Sequence, residues 1–161
     1  MIRASLICAL TLLSVFSSFS QDRLIERDCL VYKLGCDTPY TGNYQRSGRH
    51  GLRIKGQYID GLRHGVWKEY TSGGGSIKSI SKYDHGCIVK WTGYYGKNKI
   101  SKGKYLADCD AEEWKDYGEY CSLFKETDLK RDGKWKIYNV DGKLKEVKTY
   151  KNGELIESKT R

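Results

Sequence analysis

The sequence predicts an all-β protein, an open array of about five antiparallel β-hairpin repeats that forms a single elongated, twisted sheet behind a short N-terminal cap. Three observations predict this class. The chain of 161 residues holds 18 Gly but only one Pro, which indicates many tight turns rather than a proline-rich tail. Much of its hydrophobic content is aromatic, with 13 Tyr, 4 Trp and 3 Phe, and aromatic residues favour strands. One aromatic motif also recurs along the chain with a period too short for paired helices.

The recurring motif is a tryptophan followed three residues later by a tyrosine, and successive tryptophans lie 24, 23 and 21 residues apart. A step of 23 residues back from Trp67 leads to Tyr44, which begins a first, degenerate unit. This period accommodates two strands of about five to seven residues each and two turns. The residues that define the repeat are Tyr44, Trp67, Tyr70, Trp91, Tyr94, Trp114, Tyr117, Trp135, Tyr138, Gly65, Gly86, Gly133 and Gly153.

Spacing within a unit predicts which face each side chain occupies. The odd spacing between Trp67 and Tyr70 predicts aromatic side chains on both faces of a thin sheet, or a bulge in that strand. In the second strand, Ile77 precedes Tyr83 by six residues, an even spacing that places both on one face. The corresponding residue Ile100 precedes its tyrosine by five, which indicates a bulge or a different alignment in that unit.

Two segments resemble MORN-repeat variants: residues 56–70, with the sequence GQYIDGLRHGVWKEY, and residues 132–153. The resemblance covers roughly residues 40–153 and is weaker around Trp91 and Trp114, where the leading glycine is missing. It implies an open stack of antiparallel hairpins, contact with protein or lipid, and no catalytic residues. Bacterial chains of this kind are often described as antitoxins, so the resemblance also implies an extracytoplasmic antitoxin or immunity protein as an alternative.

The first twenty residues predict a signal peptide. Arg3 precedes an apolar stretch over residues 4–16 that is shorter than the roughly 20 residues needed to span a bilayer. Small residues at Ser18 and Ser20 predict cleavage before Gln21 and export to the periplasm, the cell surface or the exterior. The remaining domains are then an N-terminal cap segment over residues 21–39, the repeat array over 40–153 and a C-terminal tail over 154–161.

Export would place the remaining five cysteines in an oxidising compartment, where disulfides are the default. An odd number leaves at least one thiol free or paired between chains. We expect disulfides Cys29–Cys36 and Cys87–Cys109 with Cys121 free, the alternative being that some or all of these thiols stay reduced.

No residue pattern predicts catalysis, a cofactor or a metal site. Cys29 and Cys36 are seven residues apart, and His85 with Cys87 lacks the second close pair that a zinc site needs. His64 and His85 are expected in turns, as is His50, without a recognisable nucleophile motif. Four acidic residues lie close together in the sequence: Asp108, Asp110, Glu112 and Glu113. We expect them to form a solvated loop rather than the catalytic carboxylate pair of a glycosidase or a calcium site.

The charge of the chain narrows the class of partner. The formal net charge is +9, and Arg3 supplies the only charge in the first twenty residues, which leaves +8 on the rest. This excess is typical either of a solvated, lysine-rich sheet surface or of attraction to an anionic partner. The sequence therefore predicts a secreted, non-enzymatic protein-binding or scaffold module. The alternatives are a binder of carbohydrate or of an anionic membrane surface, and export disfavours nucleic acid. The oligomeric state is not predicted.

Overall fold

The computed structural model describes residues 23–47, 53–72, 75–106 and 129–161. These residues form eleven strands, and the predicted all-β class with an open array of antiparallel hairpins is confirmed. Among them there is no helix long and apolar enough to cross a membrane. The strands are β1 (Leu24–Arg27), β2 (Leu30–Lys33), β3 (Gly42–Ser47), β4 (Arg53–Ile59), β5 (Leu62–Tyr70), β6 (Ile77–Asp84), β7 (Cys87–Tyr95), β8 (Asn98–Tyr105), β9 (Arg131–Tyr138), β10 (Leu144–Lys151) and β11 (Glu154–Thr160).

Strands β3 to β11 form one nine-stranded sheet in which each strand pairs with its neighbours in the sequence. All of these pairings are antiparallel, so the sheet is a meander that needs no crossover connection. Strand β8 pairs directly with β9, for example Lys102 with Lys136. The sheet therefore passes from the third predicted unit straight to the fifth, and the fourth unit, with Trp114 and Tyr117, lies outside the described residues.

Two-residue turns connect several of the strands. The pairs Asp60-Gly61, His85-Gly86 and Asn152-Gly153 all have positive φ at both residues, with φ 43° and 88° at His85 and Gly86. Two consecutive left-handed residues match the right-handed twist of the flanking strands, which is why such turns close antiparallel hairpins. The predicted turn glycines Gly86 and Gly153 thus occupy positions that a residue with a Cβ atom adopts at a cost.

The leading glycines of the repeat mark bulges instead of turns. Gly65 and Gly133 have φ of 68° and 63°, and each lies at a register shift between its strand and the preceding one. The register of β5 with β6 shifts between Glu69 and Tyr70, with the extra residue in β6. Alternation along β5 therefore places Trp67 and Tyr70 on opposite faces. The strand has aromatic residues on both faces and also a bulge, at Gly65.

The core is a layer of aromatic rings on one face of the sheet. The most buried large side chains are Trp67 and Trp135, with 3% and 1% of their surface exposed. Each indole lies over a glycine of the preceding strand, Trp67 over Gly56 and Trp135 over Gly103. The absence of a side chain permits this contact, since a Cβ atom on either glycine would lie 2.1 Å from the indole Cδ2 atom. Each indole nitrogen donates a hydrogen bond to a backbone oxygen of that strand, at 3.2 Å for Trp67 and 2.9 Å for Trp135.

An arginine covers each of these indoles. The guanidinium of Arg63 lies 4.5 Å from the Trp67 ring centre, and that of Arg131 lies 4.6 Å from the Trp135 ring centre. Each arginine also donates a hydrogen bond to a tyrosine hydroxyl, that of Tyr83 at 3.2 Å and that of Tyr150 at 3.0 Å. We call these two groups the Arg–Trp–Tyr clusters, which consist of Arg63, Trp67 and Tyr83, and of Arg131, Trp135 and Tyr150.

The N-terminal hairpin β1–β2 is attached to the turn between β4 and β5. The Val31 amide donates to the Gly61 carbonyl at 3.0 Å, and the Gly61 amide donates to the Tyr40 carbonyl at 2.9 Å. A Cβ atom on Gly61 would lie 2.9 Å from Leu30 Cβ, so glycine permits this close approach. At the other end, residues 154–160 were expected to be part of a tail but form β11, because β10 offers them a free edge in register.

The cysteines correct one predicted pairing. Cys36 is an exposed, free thiol, so the expected disulfide between Cys29 and Cys36 is wrong. Cys29 occupies the β1–β2 turn and Cys36 follows the far end of β2, a strand that spans about 13 Å at roughly 3.3 Å per residue. That separation exceeds the roughly 7 Å that a disulfide allows between Cα atoms. Cys29 and Cys87 are each disulfide-bonded, and Cys109 and Cys121 lie outside the described residues.

Candidate binding surface

The face of the sheet opposite the buried tryptophans carries lysines directly across from one another on adjacent strands. Four such pairs occur between β4 and β9: Lys55 with Lys68, Lys82 with Lys90, Lys90 with Lys104, and Lys102 with Lys136. We call this surface the lysine face, and its seven lysines are Lys55, Lys68, Lys82, Lys90, Lys102, Lys104 and Lys136.

Strand alternation explains why these lysines share a face. Lys68 and Lys136 directly follow Trp67 and Trp135 in the sequence, and Lys90 directly precedes Trp91. Successive side chains of a strand point to opposite faces, so a lysine next to a core tryptophan must lie on the other side. The pairing registers then align the lysines of neighbouring strands in rows.

The lysine face has unfavourable electrostatics of its own. Residues directly opposite in an antiparallel pair have Cα atoms only about 4.5–5.5 Å apart, and like charges at such positions destabilise the sheet. In the described ranges, none of the seven lysines forms an ion pair. Asp132 lies opposite Lys104 in the register, yet the two are not joined by an ion pair. No ion pair in the part of the chain that the structure describes therefore neutralises a lysine of this face.

Apolar side chains interrupt the lysine rows. Ile80 of β6 is paired with Lys68 on one side and with Thr92 on the other. Val147 of β10 is paired with Lys136 of β9. Val66, opposite Lys82, is 54% exposed. The repeat tyrosines on this side of the sheet are half-buried, and they are Tyr70, Tyr94 and Tyr138. These exposed and half-buried apolar side chains give a partner apolar contact points among the lysines, although lysine itself is depleted in protein interfaces relative to the rest of the surface.

The opposite, aromatic face is less accessible to a ligand. Trp67 and Trp135 are covered by arginines and by neighbouring tyrosine rings, for example Tyr58 with its ring centre 5.0 Å from that of Trp67. Burial raises the pKa of Tyr58, although the Arg63 charge opposes this rise. Burial lowers the pKa of Arg63, but the interactions of its guanidinium with the hydroxyls of Tyr83 and Tyr58 raise it by more. The pKa of Arg63 is therefore raised overall. These rings therefore serve the core and do not form an open stacking platform.

Among the remaining repeat residues, Trp91 departs from the pattern. It lies over Gly93 of its own strand, where a Cβ atom would be 2.3 Å from the indole. On the preceding strand β6 it is paired with Ser81, whereas the other two tryptophans lie over the glycines Gly56 and Gly103. Its ring stacks near Trp135, with the centres 6.3 Å apart. Tyr44, the repeat residue of the first predicted unit, packs against Trp67 with ring centres 5.6 Å apart.

The structure also brings together three residues that sequence reasoning treated as separate turn residues. The Asp84 Oδ1 atom lies 2.7 Å from Nδ1 of His85 and 3.8 Å from Nδ1 of His64. The two imidazole rings meet edge to face at 5.2 Å. A comparison of the repeat units could have indicated this group, because His64 and His85 both occur beside turn or bulge glycines of neighbouring strands.

Comparison with family models, with curated proteins and with solved structures gives no match for this chain. The resemblance to MORN-repeat variants therefore stays a prediction from the repeated motif. The function is argued below from the surface and its chemistry.

Proposed function

We propose that this chain is an exported, non-enzymatic binding protein that holds an acidic protein partner on its lysine face. The observation that carries this proposal is the set of four directly opposed lysine pairs, which make no ion pair in the described ranges. A partner rich in Asp and Glu would relieve the repulsion within these pairs and would be drawn to the face by its charge.

The dimensions of the sheet suit a protein interface. The six strands β4 to β9, at a spacing of about 4.8 Å and each about eight residues long at roughly 3.3 Å per residue, present a lysine face of roughly 750 Å². A standard interface buries about 800 Å² on each partner. A single partner domain could therefore cover most of the lysine face, with Val66 and the half-buried tyrosines as apolar contact points.

A carbohydrate or anionic membrane surface is the second candidate, supported by the regular rows of lysines. The burial of Trp67 and Trp135 speaks against stacking on sugar rings, since stacking needs an exposed ring. An extracytoplasmic antitoxin or immunity protein is a special case of the leading proposal, in which the acidic partner is a toxin. Membership of the MORN-repeat variants is supported by the repeated hairpins and by the two equivalent clusters.

Export is supported by two features of different kinds. Residues 1–20 have the composition of a signal peptide, and the disulfide state of Cys29 and Cys87 suits an oxidising compartment. We expect the protein recovered from its native cells to begin at Gln21. Mass spectrometry of the intact protein checks this, and a mass that includes residues 1–20 would contradict it.

The binding proposal is tested with the chain from Gln21 and two triple variants of equal charge. One variant replaces lysines of the face, as Lys82→Gln, Lys90→Gln and Lys104→Gln. The matched control replaces lysines at turns and strand ends, as Lys97→Gln, Lys143→Gln and Lys151→Gln. We expect the first variant to lose binding to a poly-glutamate peptide at low salt by at least about tenfold, while the control changes little.

Three immobilised probes separate the candidates: poly-glutamate, an acidic polysaccharide, and vesicles containing an anionic phospholipid. Binding to the vesicles or the polysaccharide but not to poly-glutamate would favour the second candidate. Equal losses in both triple variants would mean that net charge alone, and not the lysine face, causes the binding. That result would contradict the proposal.

A further inference from the structure

We propose that His64, Asp84 and His85 form a binding site for a divalent transition-metal ion, with Zn²⁺ as the reference ion. The three side chains come from adjacent strands and the turn that joins β6 to β7. Their candidate ligand atoms all lie within 4.8 Å of one another.

The geometry is close to what a tetrahedral ion requires. Zinc binds imidazole nitrogen at about 2.0–2.1 Å and carboxylate oxygen at about 2.0–2.2 Å, which separates ligand atoms by roughly 3.4 Å. The observed separations of 2.7 Å and 3.8 Å from Asp84 Oδ1 lie on either side of that value. Small side-chain rotations of the exposed residues Asp84 and His85 would therefore complete the arrangement and leave a fourth position for water or an outside ligand.

An unsatisfied polar atom points to the same conclusion. The Nδ1 atom of His64 is buried and has no hydrogen-bond partner. Leaving such an atom unpaired costs stability, and coordination of a cation is one arrangement that satisfies a neutral imidazole nitrogen. The atom lies on the side of His64 that faces Asp84, where an ion bound by the other two residues would lie.

The second Arg–Trp–Tyr cluster provides an internal comparison. In both places the turn glycine donates a backbone hydrogen bond to the arginine carbonyl, Gly86 to Arg63 at 2.8 Å and Gly153 to Arg131 at 3.0 Å. The backbone framework is thus the same, but the side chains differ. The residues equivalent to His64, Asp84 and His85 are Asp132, Lys151 and Asn152.

The choice of residue at the turn is also informative. The first residue of each of these two-residue turns has a left-handed conformation. It is Asp60 in one turn and Asn152 in another, with φ of 49° and 52°, and it is His85 in the β6–β7 turn, with φ of 43°. Asn and Asp tolerate this conformation through local hydrogen bonds, and histidine is also enriched there. The turn therefore accommodates an imidazole in place of the Asp or Asn side chain of the equivalent turns.

The donor set selects the class of ion. Two imidazoles and one carboxylate suit Zn²⁺, Cu²⁺ or Ni²⁺, whereas Ca²⁺ and Mg²⁺ prefer oxygen ligands alone. The neighbouring Cys87 is disulfide-bonded and offers no thiolate. The free thiol of Cys36 is exposed, so it must be removed from any zinc measurement.

The test uses the chain from Gln21 with Cys36→Ser, titrated with Zn²⁺ against a chromophoric chelator. We expect one ion per chain. A variant that carries the side chains of the second turn, His64→Asp, Asp84→Lys and His85→Asn, keeps the same backbone requirements. We expect it to bind Zn²⁺ at least about 100-fold more weakly, with an unchanged circular dichroism spectrum.

The reciprocal variant, Asp132→His, Lys151→Asp and Asn152→His, should bind a second Zn²⁺ ion. Failure of this folded variant to gain an ion would contradict the claim that the turn backbone positions the ligands. Absence of Zn²⁺ binding by the parent chain, or equal affinity after the first exchange, would overturn the site itself. Titration with Ca²⁺ in place of Zn²⁺ should leave the parent chain unchanged, and tight Ca²⁺ binding would contradict the assignment of the ion class.

Discussion

At the scale of single residues, two indoles lie directly against glycines of the preceding strand. Gly103→Ala would place a methyl group 2.1 Å from the Trp135 ring, so the indole must move from its buried position. We expect a loss of about 1–3 kcal/mol in the free energy of unfolding, measured by urea denaturation. The control is Gly75→Ala, whose Cβ atom would meet nothing within 4 Å. A loss as small as that of the control would mean that Trp135 is loosely held.

Tyr58 makes a residue-scale prediction about alkaline pH. Its pKa is raised by burial, so the folded chain holds this proton more tightly than the unfolded chain, where the pKa of tyrosine is about 10. The resulting stability is fully present below pH of about 10 and is lost as the pH rises through the folded-state pKa. We expect Tyr58→Phe to lose less stability than the parent chain between pH of about 10 and 11. Parallel curves of thermal unfolding against pH would contradict this assignment.

The sequence predicts the identity of the core residues better than their environment. The recurring tryptophans and tyrosines identified Trp67 and Trp135 as repeat positions, because their spacing is visible in the chain. The glycines beneath them and the arginines above them were not identified. Gly56 and Gly103 were not recognised as partners of an indole, because that contact is made across strands and depends on a register that no single strand contains.

At the scale of elements, the turns combine stability and the proposed metal site. His85 holds φ of 43° in a position that asparagine adopts more readily. We expect His85→Asn to raise the free energy of unfolding by about 0.5 kcal/mol while it weakens Zn²⁺ binding. Denaturation in the presence of a chelator measures the first effect without interference from metal. A destabilised variant would show that the contact of His85 with Asp84 outweighs the backbone strain.

Bulges explain where the sequence alignment succeeded and where it was ambiguous. Tyr70 and Tyr138 pair with Ile77 and Leu144, whereas Tyr94 pairs with Lys99, and the same register shift follows in each of these units. Ile100 therefore lies one position later than Ile77 and Leu144, and this different alignment accounts for its spacing of five to the next tyrosine. Alternation alone could not distinguish these alternatives, since an aliphatic residue in a bulge looks the same in a sequence as one in a regular strand.

At the scale of the whole molecule, the lysine face links stability to binding. Lys90 lies between Lys82 and Lys104 in the register, so Lys90→Glu converts two repulsive pairs into attractive ones. Each favourable cross-strand pair contributes roughly 0.2–1 kcal/mol, and we expect this variant to be more stable by roughly 0.5–2 kcal/mol at low salt. The gain should shrink as salt is added. The control Lys97→Glu, in a turn, should change stability little.

The same substitution should weaken binding of the acidic partner, because it reverses a charge at the centre of the lysine face. A sheet that keeps repelling lysines at a cost in stability is the pattern expected of a functional surface. Isothermal titration with poly-glutamate and urea denaturation of the same preparation measure both quantities together. A variant that is more stable and binds as well as the parent chain would show that the repulsion serves no partner. A variant that is less stable would show that the lysines of the sheet already have their charges satisfied.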